Sequence, residues 1–276
     1  MLCFPNAKIN IGLNIIEKRA DCFHNLETVF YPIKLQDTLE IIKLSQNKET
    51  VFNSYGTPIP GNGSNLCIKA YELLKQDFNL CSVDIGLLKN IPIGAGLGGG
   101  SSDAAFTLKL LNELFELKLS IELLEKYARL LGSDCAFFIQ NKAVFAFGKG
   151  EQFEEITLSL SNYFIVLVNP VIHIGTAEAY ANTKPIKPKV SLKELILLPI
   201  TEWKNNIKND FEDSIFPNYP AIAEIKNKLY EMGALYSSMS GSGSSVYGIF
   251  SSIPELKNVF TDYFVWTGKI TTDIGK

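Results

Sequence analysis

Apolar side chains occupy every second position over residues 7–15, and the polar residues Lys8, Asn10 and Asn14 lie between them. A repeat of two residues is the pattern of a β-strand with one buried face. Lys8 and Asn10 would then project together from the opposite face of this strand.

Similar patterns divide the rest of the chain into strands and helices. Alternation or short apolar runs predict strands, and apolar residues at three- and four-residue steps predict helices. The predicted strands cover residues 26–33, 83–91, 143–147, 163–168 and 246–250, and the predicted helices cover 66–76, 121–131, 221–232 and a stretch that begins near Ser101. Residues 183–190, with two prolines and three lysines, are typical of an exposed loop. The mixture predicts an α/β protein of two domains that meet near residue 155.

Composition narrows the possible functions. Charged residues make up 20% of the 276 residues and the formal net charge is -3, so no basic surplus is available to bind nucleic acid. The five cysteines lack C-x-x-C spacing and there are only two histidines, which predicts free thiols in a reducing compartment rather than disulfides or a zinc site. No apolar run is long enough to span a bilayer, and the first residues do not resemble a signal peptide. We expect a cytoplasmic protein that does not bind membranes.

Five glycines crowd the connection between the predicted strand over 83–91 and the helix that follows it. Glycine lets the backbone turn sharply and approach a ligand closely, and the free N–H groups at the start of the next helix favour a phosphate. A tight turn alone would explain one or two glycines, so we predict a phosphate-binding loop. Its residues are Pro92, Ile93, Gly94, Ala95, Gly96, Leu97, Gly98, Gly99, Gly100, Ser101 and Ser102.

The common nucleotide-binding loops do not fit this segment. A Walker A loop places Lys and then Ser or Thr after its last glycine, whereas the last glycine here is followed directly by Ser101. Gly94, Gly96 and Gly99 match the dinucleotide fingerprint in form, but no acidic residue stands where the fingerprint needs one, at the end of the next strand. The H-R-D and D-F-G elements of protein kinases are absent as well.

The full string PIGAGLGGGSSDAA resembles the second motif of the GHMP kinases, a superfamily that includes galactokinase and the homoserine, mevalonate and phosphomevalonate kinases. Residues 5–10 (PNAKIN) resemble its first motif and residues 239–244 (MSGSGS) its third. The motifs occur in the right order and cover the chain from end to end. The resemblance implies an α+β two-domain fold, with an N-terminal ribosomal-S5-like α/β domain that binds ATP (residues 1–155) and a C-terminal ferredoxin-like domain (residues 156–276).

One branch of the superfamily resembles this chain best. It uses ATP to phosphorylate the 2-hydroxyl of 4-diphosphocytidyl-2-C-methylerythritol in the non-mevalonate route to isoprenoids. Residues 18–26 (KRADCFHNL) resemble its R-x-D-G-[YF]-H-x-L segment, and residues 131–135 (LGSDC) resemble a second one. The departure is Cys22, where the branch usually has glycine. If the backbone there is left-handed, Cys22 is strained.

The resemblance implies two catalytic residues. Asp134 would take the proton from the acceptor hydroxyl. Lys8 would lie beside Asp134, lower the pKa of its carboxyl and stabilise the charge that develops on the phosphoryl group. The residues alone leave other interpretations open, because Asp134 could be the N-cap of a following helix and Lys8 could simply reach solvent.

The resemblance also implies a substrate site. Phe23 and Tyr180 would stack on the two faces of the cytosine, and His24 would meet its edge. From the residues alone, these rings could equally be ordinary buried or half-buried side chains. The full predicted substrate-binding set is Asn10, Phe23, His24, Thr176, Tyr180, Ser240 and Gly241.

The predicted activity is therefore ATP-dependent phosphorylation of a small-molecule alcohol, with no obligatory protein partner. Mg²⁺ would accompany ATP and bridge its phosphates, and Ser102 would contact the ion. The orientation of Asp103 stays open. The alternatives are another GHMP kinase, of the homoserine or mevalonate type, and a non-catalytic nucleotide-binding protein on the same fold. The presence of both Lys8 and Asp134 argues against the second alternative.

Overall fold

The computed structural model describes residues 1–45, 48–60 and 65–271. Its strands are β1 (Leu2–Cys3), β2 (Asn6–Lys18), β3 (His24–Gln36), β4 (Thr38–Lys43), β5 (Val51–Gly56), β6 (Val83–Lys89), β7 (Val144–Gly148), β8 (Gln152–Glu155), β9 (Phe164–Asn169), β10 (Tyr236–Met239), β11 (Val246–Phe250) and β12 (Phe264–Lys269). Its helices are α1 (Leu66–Asp77), α2 (Gly99–Leu114), α3 (Ile121–Leu131), α4 (Phe137–Gln140), α5 (Thr176–Ala181), α6 (Leu192–Leu195), α7 (Ile200–Asn206), α8 (Phe211–Ile215) and α9 (Pro220–Glu231).

The described strands form three sheets of four strands each, in the orders β1-β4-β6-β5, β2-β3-β7-β8 and β10-β11-β9-β12. All neighbouring strands are antiparallel except β5 and β6, which are parallel. The third sheet has the strand order of a ferredoxin-like unit, although the connection over residues 251–263 contains turns instead of a helix. No helix in the described ranges is long and apolar enough to cross a bilayer.

The described residues form three apolar cores, and two of them hold the layers around the functional site together. One lies between the first sheet and helices α1 and α2, and it contains Ile85 and Tyr71. The other joins the second and third sheets through residues such as Ile9, Leu167 and Trp203. Each large side chain buried in this way stabilises the fold by about 1.5–3 kcal/mol. The second core fixes β2 against the third sheet, and this contact positions the functional site.

Strand β2 differs from its prediction in one respect that matters for function. The alternation predicted one buried face, but Lys8 and Asn10 on the polar face are only 3% and 2% exposed, so that prediction is wrong. Two loops cover the polar face, where the Lys8 ammonium donates to the Gly96 carbonyl and Gly241 lies next to Asn10 Oδ1. The same loops pair with the free edge of β2. The Lys8 N–H donates to the carbonyl of Leu97 at 2.9 Å, and the Asn10 N–H donates to the hydroxyl of Ser240 at 3.2 Å.

The helices next to the site begin and end where the sequence provides caps. Gly98 is the N-cap of α2 in a left-handed conformation (φ 68°), which glycine adopts readily. The Ser120 hydroxyl accepts from the Leu123 N–H at the start of α3, and Gly132 ends that helix as predicted. The predicted domain division at residues 155 and 156 falls between β8 and β9, and its exact position stays a prediction.

Candidate active site

A cleft of about 880 Å³ lies between the glycine loop (residues 92–102), β2 and the segment that leads into α5. Ile59, Pro60 and Leu66 supply apolar lining from the N-terminal half of the chain, and Tyr180 supplies lining from α5. A cleft of this size is at the upper end of the range for small-molecule binding sites, about 300–1,000 Å³.

The glycine loop is bent as its composition predicts. Gly94, Gly96 and Gly98 all have positive φ, at 64°, 78° and 68°. At Gly96 a side chain is excluded as well, because its Cβ would lie 1.9 Å from the carbonyl oxygen of Ser240. The loop ends in the first turn of α2, where the Ser102 hydroxyl is buried and finds no hydrogen-bond partner among the described residues. The free N–H groups of this helix start face the cleft and favour an anion.

The Lys8 ammonium is held by oxygen atoms inside the cleft wall. It donates to Asn10 Oδ1 at 2.6 Å and to the Gly96 carbonyl at 3.1 Å, and it lies 3.6 Å from Asp134 Oδ2. Burial lowers the pKa of Lys8 below its usual value, and Asp134 partly offsets that effect. The alternative interpretation of Lys8 as a solvent-directed side chain is therefore wrong.

Asp134 lies at the cleft surface, with its side chain 31% exposed. The turn after α3 places it there, since α3 ends at Leu131 and α4 begins only at Phe137. The N-cap of α4 is Ala136, which makes no side-chain capping bond. Asp134 is therefore not the N-cap of the following helix, and its carboxylate is open to a ligand.

The third motif forms the back of the site. The Ser240 hydroxyl donates to the Gly96 carbonyl at 2.8 Å and is fully buried. Gly241 lines the cleft, and its Cβ would lie 3.3 Å from Asn10 Oδ1. Of the two residues in this motif that were predicted to bind substrate, Gly241 thus faces the cleft, whereas Ser240 ties the two loops together.

The predicted aromatic residues are brought together only in part. The rings of His24 and Tyr180 stack at 4.6 Å with an interplanar angle of 16°. The Phe23 ring is 59% exposed and lies against the Lys149 ammonium, 4.9 Å from the ring centroid. Thr176 begins α5 one turn before Tyr180, and both line the cleft. His24 already stacks on Tyr180, so the sandwich of a base between Phe23 and Tyr180 stays a prediction.

The turn before Phe23 has the left-handed backbone that strains Cys22. Cys22 has φ 66°, in the left-handed region that glycine favours. The turn is closed by hydrogen bonds, in which the Cys22 N–H donates to the Arg19 carbonyl and the Phe23 N–H donates to Asp21 Oδ1, both at 3.2 Å.

A buried charge cluster beneath the glycine loop was not predicted. The Lys89 ammonium forms ion pairs with Asp37 and, at 2.8 Å, with Asp103, and all three residues are nearly inaccessible to solvent. This fixes the orientation of Asp103, whose side chain points to Lys89. The pKa of Asp103 is raised to about 7, because burial and the neighbouring Asp37 raise it by more than Lys89 lowers it. The one sequence signal is a lysine near the end of the predicted strand, three residues before the glycine loop begins.

Comparisons with known proteins agree with this fold and cleft. Residues 65–149 match the model of the GHMP kinases N terminal domain, and residues 192–264 match that of the GHMP kinases C terminal domain. The chain therefore belongs to the GHMP kinases, which use ATP as the phosphate donor, and the predicted fold class is confirmed.

Close relatives define the branch. The chain is 57% identical over 265 residues to a 4-diphosphocytidyl-2-C-methyl-D-erythritol kinase of Bacteroides fragilis, covering 95% of this chain and 96% of that protein. It is 54% identical to the protein of that name from Bacteroides thetaiotaomicron, covering 98% and 100%. A crystal structure of 4-(cytidine 5'-diphospho)-2C-methyl-D-erythritol kinase matches with a TM-score of 0.78 and 30% identity over 90% of each chain. The protein belongs to this kinase family within the GHMP kinases.

A more distant structure shows the fold alone. The mevalonate kinase of Methanococcus jannaschii has a TM-score of 0.73 but only 15% identity, over 98% of each chain. The alternative prediction of a mevalonate-type kinase gains nothing further from this likeness.

Proposed function

We propose that the protein transfers the terminal phosphoryl group of ATP to the 2-hydroxyl of 4-diphosphocytidyl-2-C-methyl-D-erythritol. The observation that carries the proposal is the pair of Lys8 and Asp134, whose charged atoms lie 3.6 Å apart in the cleft beside the glycine loop. The relatives that share more than half of its residues are named for this activity.

Asp134 acts as the general base for the acceptor hydroxyl. Its carboxylate is partly exposed in the cleft, so a substrate hydroxyl can reach it. As the hydroxyl loses its proton, the oxygen attacks the terminal phosphorus of ATP, and the bond from that phosphorus to the ADP oxygen breaks. Phosphoryl transfer depends mostly on positioning and electrostatics. Lys8 supplies a fixed positive charge next to the attacking oxygen.

The glycine loop holds the phosphates of ATP at the start of α2. Mg²⁺ fits this site in one respect, since the buried Ser102 hydroxyl has no partner in the described part of the chain and offers an oxygen. The described residues contain no group of three or more His, Cys, Asp or Glu side chains that could hold an ion by themselves. The ion would therefore be held by Ser102 and mainly by the ATP phosphates, whose charge it neutralises.

The cytidyl group lies on the side of the cleft that α5 forms. Tyr180 and His24 offer stacked rings there, and Thr176 offers a hydroxyl one helical turn from Tyr180. Burial and the charge of Lys18 lower the pKa of His24, so a neutral imidazole is available to a base at pH 7. Location in the cytoplasm and activity without a protein partner stay predictions.

The test is a comparison of acceptors. The purified protein is mixed with ATP, Mg²⁺ and either the cytidyl substrate, methylerythritol phosphate, homoserine or mevalonate, and ADP release is followed. We expect kcat/KM to be highest for the cytidyl substrate. Equal or greater kcat/KM with mevalonate or homoserine would contradict the proposal, and no ADP release with any acceptor would contradict a catalytic role altogether.

A further inference from the structure

Strand β2 contains a bulge two residues beyond Asn10. The pairing with β3 shifts register between Ile11 and Leu13, so Gly12 has no partner residue on β3. Gly12 has φ 69°, and its Cβ would lie 2.6 Å from Ile207 Cγ2. The bulge leaves the Gly12 carbonyl outside the regular ladder. The Thr28 hydroxyl donates to this carbonyl at 2.6 Å.

The hydrogen bond to Gly12 decides which group donates in the hydrogen bond between Thr28 and Asn10. A threonine hydroxyl has one proton and two lone pairs. Because the proton is donated to Gly12, Thr28 can only accept from its other neighbour, the Asn10 side chain. Asn10 Nδ2 accordingly lies 3.0 Å from Thr28 Oγ1.

The orientation of the Asn10 amide follows. With its NH₂ group directed to Thr28, its carbonyl oxygen faces the Lys8 ammonium, where it accepts a hydrogen bond at 2.6 Å. This is the shortest of the oxygen contacts that hold Lys8 in the cleft. Thr28 is completely buried and Asn10 is 2% exposed, so solvent does not compete for these groups.

We propose that Thr28 is a positioning residue for phosphoryl transfer, which sets the Asn10 amide so that its oxygen holds the Lys8 ammonium beside Asp134. The inference rests on the proposed function of Lys8. Without the hydroxyl, the buried Asn10 NH₂ group has lost its acceptor, and the side chain must shift to find another, which draws its oxygen away from the Lys8 ammonium. Lys8 loses its best acceptor and its fixed place next to the reacting hydroxyl.

The amide orientation also affects the titration of Lys8. Among the described residues, Asp134 is the charged group that faces Lys8, and its other neighbours are the Gly96 carbonyl and the Phe30 ring, 4.9 Å from the ammonium. Loss of the Asn10 oxygen disfavours the charged amine. The pKa of Lys8 then falls, and kcat should decline at a lower pH on its alkaline side.

The test compares Thr28→Val, which keeps the shape but lacks the hydroxyl, with Thr28→Ser, which keeps the hydroxyl. Thr107→Val is the matched control, because Thr107 is also fully buried but its hydroxyl donates to the Asp103 carbonyl of its own helix and not to the groups around Lys8. We expect Thr28→Val to lower kcat about tenfold to a hundredfold, the effect of one lost buried hydrogen bond to a charged network, with little change in KM for ATP. The alkaline limb of its kcat profile should move to lower pH, and Thr28→Ser should restore both the rate and the profile.

Several outcomes would overturn the inference while leaving the kinase activity established. These are a wild-type kcat in Thr28→Val, an equal loss in Thr28→Ser, or a loss in Thr28→Val with an unchanged pH profile. The melting temperature of each variant is measured alongside. If Thr28→Val does not fold, Thr28→Ala replaces it with the same expectations. An inactive wild-type protein would instead contradict the proposed function.

Discussion

The substitution Gly96→Ala tests whether the second and third motifs form one rigid site. The added Cβ would lie 1.9 Å from the Ser240 carbonyl oxygen and 3.2 Å from that of Gly243, both of them backbone atoms. Normal van der Waals contact requires a separation of about 3.2 Å or more, so the two loops must move apart by roughly 1 Å. That movement would break the bonds by which the Gly96 carbonyl accepts from Ser240 at 2.8 Å and from Lys8 at 3.1 Å.

The expected cost follows from these losses. The two lost hydrogen bonds lower the free energy of unfolding by about 1 kcal/mol each, and the left-handed alanine lowers it by roughly another 1 kcal/mol. The total loss is about 3 kcal/mol. For a chain of this size the melting temperature should fall by about 6–12 °C. Because Lys8 also loses one of its acceptors, kcat should fall by about a hundredfold or more.

The assay pairs thermal unfolding with steady-state kinetics for wild type, Gly96→Ala and Gly86→Ala. Gly86 is a suitable control, because no atom of residues 1–45, 48–60 or 65–271 lies within 4 Å of its Cβ position. Gly86→Ala should leave both measurements close to wild type. A Gly96→Ala protein with the wild-type melting temperature and kcat would refute the argument that the loops are packed this closely.

Two further substitutions test the cleft and the turn beside it. Tyr180→Ala should raise KM for the cytidyl substrate by about tenfold to a hundredfold and leave the affinity for ATP unchanged, because base–aromatic stacking contributes roughly 1–3 kcal/mol. Steady-state kinetics with each substrate varied in turn checks this prediction. An unchanged KM would remove Tyr180 from the base site. Cys22→Gly should raise the free energy of unfolding by about 0.5–1 kcal/mol, because the relief of left-handed strain exceeds the entropy that glycine adds to the unfolded chain. Denaturant titration measures this change. A destabilised variant would show that Cys22 is not strained.

The parts of the fold and site that the sequence predicted depend on local patterns. The strand with Lys8 and Asn10, the glycine loop and helix α3 all arise from neighbouring residues, so period and composition locate them. Strand β5 gave no such signal, because it is short and most of its side chains are exposed. The short helices α5 to α8 are below the length at which a helical period can be read.

The contacts that complete the site join residues far apart in the chain. Ser240 meets Gly96 across 144 positions, and Lys89 meets Asp37 across 52. No local pattern encodes such pairs. The burial of the polar face of β2 and the stacking of His24 rather than Phe23 on Tyr180 are consequences of this long-range packing.

The central claim is tested most directly by the rate of ADP formation with the cytidyl substrate, measured for wild type and Asp134→Asn. ADP affinity and melting temperature are measured for both proteins as controls. Asparagine keeps the shape of the side chain but cannot take a proton, so kcat should fall by about 10²–10⁴ while ADP affinity and the fold are retained. An Asp134→Asn protein that phosphorylates the cytidyl substrate at nearly the wild-type rate would contradict the account.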